Sequence, residues 1–124
     1  MTIVYASSKV ESVCTSYKDA IKYFDGDKNL AFHLLSKINM LKAADSLHDI
    51  IVQPQHRFHK LLNKGTHKNY DGYYALDVQN KTKPWRIIIE PLNSDLSSKV
   101  KFRIDIDAIS TKTILIKEVS NHYE

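Results

Sequence analysis

The chain has 124 residues, 43% hydrophobic and 26% charged with only 3 Gly and 3 Pro, which excludes a disordered or fibrous polymer and fits one folded domain over 1–124. Its single cysteine, Cys14, excludes an internal disulfide and cysteine-based zinc sites and points to a reducing cytoplasm. The formal net charge of +4 is unevenly placed, since Gln53 to Ile89 holds seven basic residues (Arg57, Lys60, Lys64, Lys68, Lys81, Lys83, Arg86) against two acidic ones (Asp71, Asp77), leaving 11 basic and 12 acidic residues elsewhere.

The N-terminal MTIVYASSKVES lacks a basic stretch followed by a long apolar run. No segment approaches the run of about 18 apolar residues that a membrane helix needs, so neither signal peptide nor membrane span is expected. Ile3, Val4 and Tyr5 read as a first strand. Ser8-x-x-Glu11 then matches a capping box, and Val10, Val13, Cys14, Tyr17, Ile21 and Phe24 follow at helical spacing up to Asp25-Gly26. One continuous helix is predicted there.

Asp27 is placed to cap a second helix with Leu30, Leu34, Leu35, Ile38, Leu41, Ala44 and Leu47 on its apolar face and Lys28, Lys37 and Lys42 turned to solvent. So short a turn between two helices makes them antiparallel neighbours. Pro54 to Gly72 shows no sustained period and is predicted to be mainly loop. Strands are expected over Tyr73 to Val78, Trp85 to Glu90, Val100 to Asp107 and Thr113 to Ser120, the third because Phe102, Ile104 and Ile106 alternate with Lys101, Arg103 and Asp105. The predicted class is α+β: an N-terminal strand and two antiparallel helices packed on a mostly antiparallel twisted sheet.

Within KPWRIIIEP, residues 83 to 91, period-2 geometry puts Arg86, Ile88 and Glu90 on one face and Trp85, Ile87 and Ile89 on the other. Arg86 is therefore expected outside the core. The stretch from His56 to Tyr70 interleaves cations, imidazoles and a ring (Arg57, His59, Lys60, Lys64, His67, Lys68, Tyr70), the chemistry that neutralises phosphates and stacks bases of single-stranded nucleic acid. Arg57, Lys64, Lys68 and Lys83 are the expected RNA contacts.

Four of the six histidines lie between His48 and His67, but no HExxH, cysteine set or carboxylate pattern completes a metal site, so none is expected. Nor is there a G-x-S-x-G turn or a Gly-rich phosphate loop. RNA supplies its own nucleophile, the 2′-hydroxyl. Cleavage without metal or cofactor then needs only a base, an acid and cations beside the phosphorane.

Three segments, HKL at His59 to Leu61, GYYALDV followed by KPWRIIIEP, and IDIDAIS…TILIKEVSNHY from Ile104 to Tyr123, resemble toxins of the RelE/ParE superfamily of bacterial type II toxin-antitoxin systems, nearest the HigB branch. The resemblance spans most of the chain. It implies ribosome-dependent endonucleolytic cleavage of mRNA, partnership with mRNA and the ribosome, and neutralisation by a HigA-like helix-turn-helix antitoxin. It also implies catalytic roles for His59, Lys60, Arg86, His122 and Tyr123 and an RNA contact at Asn121. The family's Asp-Tyr-His ending stands here as Asn121-His122-Tyr123, and an amide cannot act as general base. A ParE-like inhibitor of DNA gyrase and a non-catalytic RNA-binding protein are the alternatives.

Overall fold

The computed structural model describes residues 1–61, 72–99 and 101–121. In chain order these form β1 (Thr2–Tyr5), α1 (Ser8–Thr15), α2 (Tyr17–Tyr23), α3 (Lys28–Ala43), α4 (Leu47–Ile51), β2 (His59–Lys60), β3 (Tyr74–Asp77), β4 (Arg86–Leu92), α5 (Ile104–Asp107) and β5 (Thr113–Ser120). The five strands make one sheet in the order β1-β5-β4-β3-β2, with β1 parallel to β5 and the other three pairings antiparallel. The architecture is mixed α+β. Among the described residues no helix is long and apolar enough to cross a membrane.

The core lies between helices and sheet. Leu30, Leu34, Ile38 and Leu41 of α3 cluster with Leu76, Ile87, Ile89, Ile114 and Ile116 of the strands. Each such side chain contributes about 1.5 to 3 kcal/mol by leaving water. The opposite face of the sheet carries a smaller cluster of Leu61, Ala75 and Ile88. Ile87 and Ile89 thus point one way and Ile88 the other, as alternation requires. Between Ile88 and Ile89 the register against β5 slips by one, with Ile88 opposite Glu118 and Ile89 opposite Ile116. That bulge lets Ile116 and Val119, three residues apart, both face the main core.

Asp27 caps α3 as expected, its carboxylate accepting the Leu30 N–H at 3.0 Å. The other helix predictions need correction. The expected helix from Ser8 to Phe24 is broken at Ser16, whose backbone is extended and whose hydroxyl caps α2 by accepting the Asp19 N–H at 3.2 Å. Ser7, rather than Ser8, caps α1, accepting from Val10 N–H at 3.2 Å. Leu47 belongs to the separate α4, because Ala44 turns extended after α3.

The strand expected over Val100 to Asp107 is not formed by its described residues, 101–107. The end of this stretch forms the short α5 and a following 3-10 turn over Ala108–Ser110. The Asp107 carboxylate accepts the Arg103 N–H at 2.7 Å, a local bond that competes with sheet pairing. Ile106, expected on an inward face, is exposed. Within the expected loop, Pro54–His56 is a 3-10 turn and β2 pairs with β3. The last strand falls where expected.

Candidate functional site at the charged end of the sheet

β2 sets His59 opposite Ala75, and extending that register two residues brings Arg57 beside Asp77. Asp77 lies opposite Arg86, and Arg86 opposite Ser120. Arg57, Asp77, Arg86 and Ser120 therefore make one cross-strand row at one end of the sheet, on the face that carries Ala75 and Ile88.

Asp77 is the centre of this row, with a side chain only 1% exposed. Arg57 Nε donates to both its oxygens, at 3.3 and 3.1 Å. Arg86 Nε stands 3.2 Å from Oδ1 without aiming its N–H at the oxygen, so that contact is an ion pair rather than a directed hydrogen bond. A carboxylate so buried is tolerable only with such partners.

Arg86 is not on an exposed face. Its side chain is 7% exposed, and its terminal groups donate to the carbonyls of Lys83 at 2.5 Å, Trp85 at 3.0 Å and Lys81 at 3.3 Å. It ties the β3–β4 turn to the end of the sheet. The expectation failed because alternation separates two faces of a strand without saying which is wet. Trp85 is half-buried and packs edge-on against Phe24 and Tyr23, with ring centroids 4.8 and 5.8 Å away.

Arg57 behaves differently. Its side chain is 34% exposed, and among the described residues its two Nη groups make no hydrogen bond or ion pair. Its backbone sits in the left-handed region at φ 51°, a cost on the order of 1 kcal/mol that turns the chain from the 3-10 turn toward β2. Nε faces Asp77. The guanidinium fork takes no part in that pairing.

Behind Arg57 lies a pair that the sequence did not announce. Lys37, expected in solvent, is half-buried, with Nζ 2.6 Å from His56 Nδ1. An ammonium only donates, so Nδ1 accepts and the His56 proton sits on Nε2, 3.2 Å from Gln53 Oε1. Gln53 Nε2 in turn donates to the Asp49 carbonyl at 2.8 Å, which fixes the amide's orientation. Burial holds the His56 pKa below its ordinary value, and Lys37 adds to the depression. Burial lowers the Lys37 pKa as well, with Asp77 pulling the other way.

His59 Nδ1 donates to the Arg57 carbonyl at 2.6 Å, so in the neutral ring the lone pair is on Nε2. His59 and Lys60 are adjacent on a strand and point to opposite faces, His59 with Ala75 and Lys60 with Tyr74. Lys60 is exposed but does not share the face of His59. Lys83 is exposed beside Arg86, and Asn121 is exposed one residue past Ser120. Arg57, His59, Lys83, Arg86 and Asn121 are thus brought to one end. Lys64, Lys68, His122 and Tyr123 lie outside the described residues.

The buried Cys14 thiol, pushed up to about 12 by burial, is inert here. Among the described residues no three His, Cys, Asp or Glu side chains gather as a metal site. No family model, curated protein or solved structure matches the chain.

Arg86→Ala leaves a buried carboxylate short of a partner and unties the β3–β4 turn. Urea unfolding of the variant is expected to show a loss of roughly 3 to 5 kcal/mol. A loss under about 0.5 kcal/mol, typical of surface changes, contradicts the buried pairing.

His56 also makes stability depend on pH. Its folded pKa lies below the unfolded value of 6.5, so the unfolded chain takes up protons first and the contribution, present above that value, is lost as pH falls. Between about pH 7.5 and 5.5 the urea midpoint is expected to drop in the wild type and to drop less in His56→Gln. Parallel profiles overturn this assignment.

Proposed function

We propose that the chain is a toxin of the RelE/ParE type, an mRNA endonuclease that cuts on the translating ribosome and is neutralised by a helix-turn-helix antitoxin. The observation that supports it is the convergence of Arg57, His59, Lys83 and Asn121 around the locked Asp77 and Arg86 pair. A phosphate of a single strand meets the Arg57 fork, a bidentate donor suited to two phosphate oxygens.

His59 Nε2 accepts the proton of the 2′-hydroxyl, whose oxygen attacks the adjacent phosphorus. The bond to the 5′-oxygen then breaks, leaving a 2′,3′-cyclic phosphate and a 5′-hydroxyl. The proton for that leaving oxygen is assigned to the imidazole of His122 or the phenol of Tyr123, which follow Asn121 in sequence. Arg57 offsets the charge that grows on the phosphorane. Arg86 acts from behind, as the residue that holds Asp77 and so orients Arg57.

RNA binding without cleavage is the second reading. One observation favours it: Asp77 is consumed by its two arginines, and Asn121 offers an amide where the resembling family has a carboxylate.

Primer extension on a defined mRNA in a reconstituted translation system separates the two. The nuclease reading expects cuts only with translating ribosomes, slowed about 10²-fold or more in His59→Ala and in Arg57→Ala. RNA retention by the purified protein without any cut selects the binding reading instead.

A further inference from the structure

His56 and Arg57 are neighbours in the chain and face opposite ways. His56, 8% exposed, is tied to Lys37 of α3 and to Gln53, while Arg57 reaches Asp77 on the sheet face away from the main core. One joint carries both, the 3-10 turn Pro54–His56 with Arg57 as its left-handed cap. Its own hydrogen bonds run from His56 N–H to the Gln53 carbonyl at 3.1 Å and from Arg57 N–H to the Pro54 carbonyl at 3.0 Å. An arginine at φ 51° is strained and persists only where its surroundings over-determine it. Asp77 holds its side chain, and the His56 ring holds the turn that precedes it.

The tie at His56 depends on the ring being neutral. Nδ1 accepts from the Lys37 ammonium at 2.6 Å, and the ring's own proton, on Nε2, faces Gln53 Oε1 at 3.2 Å. A second proton has only Nδ1 to go to. There it removes the acceptor that Lys37 uses and sets two positive charges against each other. Among the described residues no carboxylate is bonded to either group. On α4, which packs on the turn, Asp49 turns its carboxylate to the Asp45 N–H at 3.0 Å and His48 is exposed. Asp77 favours the Lys37 charge without bonding to the ring. His59 donates to the Arg57 carbonyl from Nδ1 and keeps that bond in either charge state.

We propose that the neutral His56 ring is the positioning residue for Arg57: it clasps the turn to α3, and a second proton, on Nδ1, opens the clasp and lets the Arg57 turn relax. For its consequence, a strand affinity that falls as the ring becomes charged, this rests on the reading that Arg57 meets an RNA phosphate. Burial and Lys37 both favour the neutral ring, so the clasp opens below pH 6.5.

NMR of the folded chain follows the His56 ring and the Arg57 Nε–H together between about pH 7.5 and 5. In wild type the Arg57 signal is expected to move with the midpoint of the His56 ring. His56→Asn puts an amide oxygen, which takes no proton, where Nδ1 stands, and its Arg57 signal is expected to stay flat and match that of neutral wild type. Fluorescence anisotropy with a short single-stranded RNA is the second measurement. The affinity of wild type relative to His56→Asn, a ratio in which the other histidines cancel, is expected to fall roughly two- to tenfold over the same range, the ordering cost of one long side chain. An Arg57 signal indifferent to the His56 midpoint, or one that moves equally in His56→Asn, overturns the inference. Coupled signals in a chain that binds no RNA uphold the clasp and remove the RNA reading. RNA bound with a constant affinity ratio overturns the part of His56 in the phosphate contact.

Discussion

A carboxylate with a side chain 1% exposed sits between two guanidinium groups, and the rest of the charged end depends on that arrangement. Asp77 is buried because β3 places it on a covered face beside Ala75 and opposite Arg86 on β4. Once there it must be paired, since an unpaired buried charge costs several kcal/mol. Arg86 comes from the facing strand and Arg57 from beyond the start of β2. The pairing thus joins three chain segments that the hydrophobic core alone does not align. It also divides labour between the arginines: one is drawn inside and spent on carbonyls, the other is held by Nε with its fork outward.

The helical layer contributes more than burial. α3 packs its Leu30, Leu34, Ile38 and Leu41 into the core, and the same helix delivers Lys37 to the His56 imidazole. The helix is rigid, so the ammonium is brought to a fixed place. The 3-10 turn Pro54–His56 and the left-handed Arg57 then turn the chain so that His56 meets Lys37 of α3 while Arg57 meets Asp77. The chemistry proposed for this end is electrostatic, with Arg57 as the donor to a phosphate. Positive charge that proteins normally leave to solvent is concentrated where strand ends meet.

Much of this was legible in the sequence, and what was not has identifiable causes. β1, β3, β4 and β5 announce themselves through β-branched and aromatic runs, and Asp27 through its position before an apolar helical face. Arg57, His59 and Lys83 could be named because residue type and clustering suffice to find a basic surface, whereas Asn121 was named only through the family resemblance. The break at Ser16 was hidden because Val13, Cys14, Tyr17 and Ile21 keep helical spacing across it. α5 was hidden because Phe102, Ile104 and Ile106 alternate as in a strand, while the Asp107 bond to Arg103 decides locally for a turn of helix. Arg86 was misplaced for another reason. Its burial depends on Asp77, nine residues earlier, and only the hairpin register makes the two neighbours. An acidic residue at the end of the apolar GYYALDV run was the available signal. Lys37 gave none, since its partner lies 19 residues away in a different element.

The separation of the two arginines into an inward brace and an outward phosphate contact is tested most directly by the salt dependence of binding to a short single-stranded RNA. The slope of log affinity against log salt is compared for wild type, Arg57→Gln and Arg86→Gln, each at a temperature where it is folded. Each phosphate contact to a single strand contributes about 0.7 to that slope. A slope reduced by about 0.7 in Arg57→Gln and unchanged in Arg86→Gln is the expected result. An unchanged slope in Arg57→Gln, or an equal reduction in both, contradicts the division of roles.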